Sequence, residues 1–161
     1  MIVVRNTSPI IALACAGRLD LLRAVHTEIL VPDAVFDEIT VAGAGEPGAS
    51  ETAQGAWIKR RPALNVSLVN ALSLELDAGE AQAIALAVES RAGLILLDER
   101  RGRRAAKRLG LTVTGTLGVL IAAKDRGLLA SVRPVLDALR ADAGFWIDDN
   151  LYNAALTAAN E

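Results

Sequence analysis

Leu94-Ile95-Leu96-Leu97-Asp98-Glu99, followed by Arg100-Arg101-Gly102-Arg103-Arg104-Ala105-Ala106-Lys107-Arg108, passes in one stretch from an apolar run through two carboxylates to a cluster of cations. A short apolar run bounded by charge reads as a strand buried on both faces, as in a parallel sheet. In open α/β sheets ligands bind outside the carboxyl ends of the strands, which puts Asp98 where a substrate arrives. Carboxylates followed by cations at that edge point to chemistry on a phosphate.

Working outward, the same alternation recurs. Ala78 to Ser90 is an apolar helix, Thr112-Val113-Thr114 a strand, and Thr116 to Arg126 a helix, with two further helices near 131–141 and 149–158. Toward the start, Ile2-Val3-Val4 is a short buried strand. Thr7-Ser8-Pro9 then supplies a capping hydroxyl and a first-turn proline for a helix over 9–16. A helix from Arg18 to Val25, a strand Ile29-Leu30-Val31 and a helix carrying Val35, Phe36 and Ile39 follow. Residues 42–50 have turn composition and read as a mobile surface loop; 57–60 and 66–68 are weak strand candidates. Strands interleaved with helices predict an α/β fold with a mainly parallel sheet covered on both faces.

At 161 residues the chain fits one domain, 1–161, without internal repeats. A net charge of -2 excludes a polyanion binder that works by overall charge, leaving a local patch such as 100–108 to attract nucleic acid. Cys15 is the single cysteine, which excludes an internal disulfide and a cysteine-based zinc site and fits a small core residue in a reducing cytosol. Neither a signal peptide nor an apolar run of membrane-spanning length is present, so a soluble cytoplasmic protein without a membrane partner is expected.

Four polar residues lie just after a strand or near a helix start: Asn6, Glu38, Glu80 and Asp98. Three carboxylates and a carboxamide suit a hard divalent cation, which takes oxygen ligands. Such a cation activates water and shields phosphate charge, so no His, Cys or Ser nucleophile is needed. Each acid also has a purely structural reading. Glu80 follows Asp77 by three residues, close to a capping box, yet shares a helix face with Ala83, Ile84 and Ala87, where an uncompensated charge is costly. Glu38 fits a surface position on an amphipathic helix; Asp98 and Glu99 fit the start of the following helix. Asp148-Asp149 reads as a helix cap, and His26 as structural or exposed.

On a helical wheel, Arg100, Arg101, Arg103, Arg104, Lys107 and Arg108 fall within an arc of about 160°, with Gly102, Ala105, Ala106 and Leu109 opposite. That is either a solvated helix face or a phosphate-binding one. Gly115-Thr116-Leu117-Gly118 lacks the Lys and spacing of a P-loop, although Thr116 at a strand end is placed to bind a water or phosphate.

Four motifs in order, Val3-Val4-Arg5-Asn6-Thr7-Ser8-Pro9-Ile10-Ile11-Ala12-Leu13, Val31-Pro32-Asp33-Ala34-Val35-Phe36-Asp37-Glu38-Ile39, Leu76-Asp77-Ala78-Gly79-Glu80-Ala81 and Leu97-Asp98-Glu99-Arg100-Arg101, together resemble the PIN-domain family. The similarity is greatest to small bacterial and archaeal PIN-like proteins related to VapC toxins. The resemblance implies a three-layer α/β/α fold and a Mg²⁺- or Mn²⁺-dependent endoribonuclease, often the toxin of a toxin–antitoxin pair and often a homodimer. Carried over by position, Glu38, Glu80 and Asp98 are the metal-binding acids, Thr7 or Ser8 lies beside the first site, and Glu99 is an additional ligand. Asn6 stands where PIN nucleases usually carry Asp, which removes a charge from the site. On this reading Asn6 positions the metal or its water, and Arg100, Arg101 and Arg104 attract the RNA backbone.

Two other readings stay open. One is a PIN-like module, weakened at Asn6, that binds RNA or a protein partner. The other is a receiver- or flavodoxin-like domain using Asp98 toward a phosphate or small ligand, although it lacks an acidic pair after the first strand.

Overall fold

Five short runs rich in Val, Ile and Leu form the centre of the molecule: β1 (Val3–Arg5), β2 (Ile29–Val31), β3 (Ile58–Arg60), β4 (Leu94–Leu96) and β5 (Val113–Thr114). The computed structural model describes residues 1–161. All strand pairs are parallel, in the order β3-β2-β1-β4-β5, with Val4 opposite both Leu30 and Ile95. The fold is therefore α/β with an all-parallel sheet, one step stricter than the mainly parallel sheet expected.

Side chains alternate across a strand, so the inner strands β1, β2 and β4 each feed two cores. Val3, Ile29, Val31 and Leu96 point into the larger one, covered by α1 (Thr7–Cys15), α2 (Leu19–His26), α8 (Thr116–Asp125), α9 (Arg133–Asp142) and α10 (Asp149–Ala158). Val4, Leu30, Ile95 and Leu97 point into the smaller one, beneath α6 (Ala78–Glu89) and α7 (Arg100–Arg108). Helices on both faces make three layers. No helix is long and apolar enough to cross a membrane.

The remaining elements correct several expectations. Helix α3 (Asp33–Asp37) runs on as a π-helical turn over Glu38–Ala42. The Gly-rich stretch beyond it is only partly loop, because Ala49–Gln54 forms helix α4, with Ala49 and Thr52 buried. The strand expected at 66–68 is instead helix α5 (Val66–Leu72). Asn65 accepts a hydrogen bond from Leu68 N at 3.1 Å, and the Glu89 carboxylate takes the amides of Leu64 and Asn65. Capping thus overrides the β preference of Val66 and Val69. Helix α1 begins earlier than expected: Thr7 and Ser8 lie inside it, Asn6 is the capping position, and no side chain caps it. The first strand runs one residue later than predicted, leaving Ile2 exposed and Arg5 fully buried. Cys15 is half-buried rather than a core residue, and Leu109 is exposed rather than packed. Asp148 caps α10 through Leu151 N, as expected.

Candidate active site

Strand order reverses direction around β1 and β4. After β1 the chain passes through α1 and α2 on one face to reach β2; after β4 it passes through α7 on the other face to reach β5. Diverging connections leave a crevice at the carboxyl ends of these two strands, the site where doubly wound sheets bind ligands. Asn6 leaves β1 at that edge, its amide donating to Leu96 O at 3.2 Å, and Asp98 follows β4 two residues on.

Asp98 caps a helix, but not the one that follows it. Its Oδ1 accepts from Thr116 N at 2.7 Å and its Oδ2 from the Thr116 hydroxyl at 2.6 Å, so it satisfies the first turn of α8, whose capping residue Gly115 has no side chain to offer. Helix α7 starts at Glu99 with no side-chain cap at all. Burial raises the Asp98 pKa; the two Thr116 donors, then the charges of Arg103 and Arg5, pull it the other way. Thr116, expected to meet a phosphate, is buried and committed to this carboxylate.

Glu80 presents the opposite case. Its amide donates to Asp77 Oδ1 at 2.8 Å, which is the forward half of a capping box. Its own carboxylate does not complete the box: Oε1 is buried with no hydrogen-bond partner in a residue only 4% exposed. Burial first, then the negative charge of Asp77 and Glu99, pushes its pKa up to about 7. Asn6, also 4% exposed, likewise leaves Oδ1 buried and unpartnered. Buried polar oxygens are nearly always satisfied, so these two are open to a water or a ligand.

Two glycines make room for these oxygens. A Cβ on Gly79 would stand 3.1 Å from Asn6 Oδ1 and 3.3 Å from Glu38 Oε2, which places both oxygens around one point at the start of α6. A Cβ on Gly102 would stand 2.9 Å from Glu80 Oε1, so α7 closes on α6 only because that residue has no side chain. Glu38 is exposed and is steered by Thr7, whose hydroxyl donates to Oε2 at 2.7 Å. Thr7 therefore spends its hydroxyl on the site rather than on a helix cap. Ser8 is half-buried in the first turn of α1, and Glu99 is exposed but near enough to raise the Glu80 pKa.

The cations divide between two flanks of α7. Arg100, Arg103, Arg104 and Lys107 line a cleft of about 450 Å³ that ends on Asp98. Arg101 faces a different cleft, shared with Arg104, Arg108, Leu74 and Glu75. Arg103 is the fixed member of the first group, donating to Leu97 O at 2.9 Å. Arg5 is the cation that sequence reasoning missed: a charged residue in a central strand, fully buried, with no hydrogen-bond partner for any guanidinium nitrogen. Its charge acts on Asp98 and also depresses His26, whose half-buried ring titrates at about 4, mainly through desolvation. An Arg at the end of an otherwise apolar first strand was the available signal.

No three His, Cys, Asp or Glu side chains gather tightly enough to hold a metal ion by themselves. Asn6 and Glu38 meet at Gly79 and Glu80 Oε1 lies against Gly102, whereas Asp98 lines the cationic cleft of α7 and Glu38 a separate hollow with Asp77 and Gly79. The donor chemistry fits Mg²⁺ or Mn²⁺, which take oxygen ligands and keep several waters, and the orphaned Asn6 Oδ1 and Glu80 Oε1 are the atoms such an ion would satisfy.

The family model described as DUF3368, a PIN domain, matches residues 2–161. The chain belongs to the PIN-domain family. The all-parallel sheet with helices on both faces agrees with that membership. No curated protein matches the chain. As a PIN domain it has a nuclease-type fold, and its crevice carries Asp98 just past a strand end with a cationic helix alongside.

Proposed function

We propose that this single PIN domain is a Mg²⁺- or Mn²⁺-dependent endoribonuclease, the toxin of a toxin–antitoxin pair. On this reading it acts in the cytoplasm, forms a homodimer and is held in check by a cognate antitoxin protein. The observation that carries the proposal is the pair of buried, unpartnered oxygens, Asn6 Oδ1 beside Glu38 at Gly79 and Glu80 Oε1 beside Gly102. Glu38, Glu80 and Asp98 would hold the cation, with Glu99 as an additional ligand and Asn6 positioning the metal or its water. The ion supplies, when bound, an activated water for attack on phosphorus and neutralisation of the phosphate charge.

The residues of the chain do the rest. Thr7 orients Glu38, and Thr116 fixes both oxygens of Asp98, so neither carboxylate has to be ordered when substrate arrives. Arg100 and Arg104, with the anchored Arg103, draw the RNA backbone along α7 toward Asp98, and Arg101 extends the positive field onto the other flank.

The neutral carboxamide at Asn6 supports a second reading, a binding module with little cleavage. One experiment separates the two: purified protein is incubated with structured and single-stranded RNAs in Mn²⁺, in EDTA, and as Asp98→Asn. Cutting that requires the metal and disappears in the variant is the expected result. Salt-dependent RNA binding without cutting, joined by cleavage gained in Asn6→Asp, would instead establish the binding module.

A further inference from the structure

We propose that Trp146 is a base-stacking subsite, holding an unpaired nucleobase of single-stranded RNA beside Asp98; this rests on the ribonuclease reading and adds a substrate class to it. Trp146 is 81% exposed and is the one aromatic side chain on the open surface of a chain with only five aromatics. Phe145 packs against the larger core and its amide donates to Leu139 O at 3.1 Å; Ile147 is buried and its carbonyl accepts from Arg140 Nη2 at 2.9 Å. The backbone is thus pinned on both sides of an indole that projects outward, the arrangement a rigid stacking platform needs.

The surroundings identify the occupant. Trp146, Phe145, Leu151 and Leu117 supply the apolar lining of a cleft of about 410 Å³ that Asp98, Arg103 and Gly115 also line. Asp98 and Arg103 also line the cationic cleft with Arg100, Arg104 and Lys107, so the two clefts meet at the site carboxylate. A strand with phosphates on the cations and one base turned onto the indole would pass its backbone over Asp98. A duplex keeps its bases stacked inside and offers no such base; an apolar peptide would leave the adjoining cations unanswered.

The test is anisotropy titration, in EDTA so that no cutting interferes, of a labelled octauridylate and of an abasic octamer of equal charge. Wild type is expected to bind the base-bearing strand about fivefold to a hundredfold more tightly. Trp146→Ala should lose that preference while keeping its melting temperature and the salt dependence of binding, and Trp146→Phe should keep most of the preference. An unchanged preference in Trp146→Ala overturns the proposal, as does a dimer that falls to monomer in that variant, which would assign the indole to a second copy. Wild type binding both octamers equally removes the subsite but leaves the ribonuclease reading standing. Failure of both strands to bind at low salt removes the RNA-binding premise, and the subsite with it.

Discussion

Half-buried Asp98 and buried Glu80 are both acids with raised pKa values, yet the protein treats them oppositely. Asp98 has both oxygens bonded to Thr116 and feels the positive charges of Arg5 and Arg103. Glu80 has a buried oxygen with no partner and negative neighbours in Asp77, Glu99 and Glu38. The first carboxylate holds the fold together as well as lining the site. The second costs the fold stability when it is ionised, and burial among negative neighbours favours its neutral form.

That contrast can be broken most forcefully at Asp98. Asp98→Ala strips Thr116 of both acceptors and leaves two cations uncompensated, so denaturant unfolding should show a loss of about 3 kcal/mol. Asp98→Asn retains an acceptor for the Thr116 amide and should lose only about 1 kcal/mol while still abolishing cleavage. Equal stability of the two variants would mean that the Thr116 bonds contribute little.

At Glu80 the effect should reverse sign. Folding raises its pKa from 4.5 to about 7, so the folded state favours the neutral acid. In EDTA the stability associated with this group is therefore fully present below about pH 4.5 and declines as the pH rises through 7. Glu80→Gln should remove that decline and be more stable than wild type at pH 8 by about 1 kcal/mol, while losing cleavage. Addition of Mn²⁺ should raise the melting temperature of wild type and not of the variant. A variant less stable than wild type in EDTA would show that the carboxylate is satisfied after all.

The smallest change in stability is expected at Gly102. Alanine there gains helix propensity but sets its Cβ against Glu80 Oε1, so the net change should stay within about 1 kcal/mol while cleavage falls tenfold or more. Retained activity with higher stability would show that Glu80 has room to move and that its present position is not required.

Much of this was readable in advance, for definite reasons. Strands β2 and β4 are apolar runs that only a doubly covered sheet accommodates, a long run rich in Ala, Ile, Leu and Val marks α6, and the period of 3.6 marks α7. Asn6, Glu38, Glu80 and Asp98 stood out because strand ends and helix starts are where a parallel sheet exposes polar groups. Helix α4 was hidden because its glycine-rich approach has turn composition, and its register comes from burying Ala49 and Thr52 against the rest of the molecule. Helix α5 was hidden because Glu89, distant in sequence, holds its first turn.

The alternation of the main strands and helices, the mainly parallel sheet, the cationic face of α7 and the identity of the acids are local or periodic properties, and the sequence by itself determined them. Which helix Asp98 caps, which oxygens stay unpartnered, where Gly79 and Gly102 open space, and why Trp146 faces Asp98 depend on segments far apart in the chain meeting within hydrogen-bonding or contact distance. Periodicity reports the face on which a residue lies. Only packing decides what stands opposite, because burial, desolvation and hydrogen-bond satisfaction are set by neighbours that the local sequence does not name.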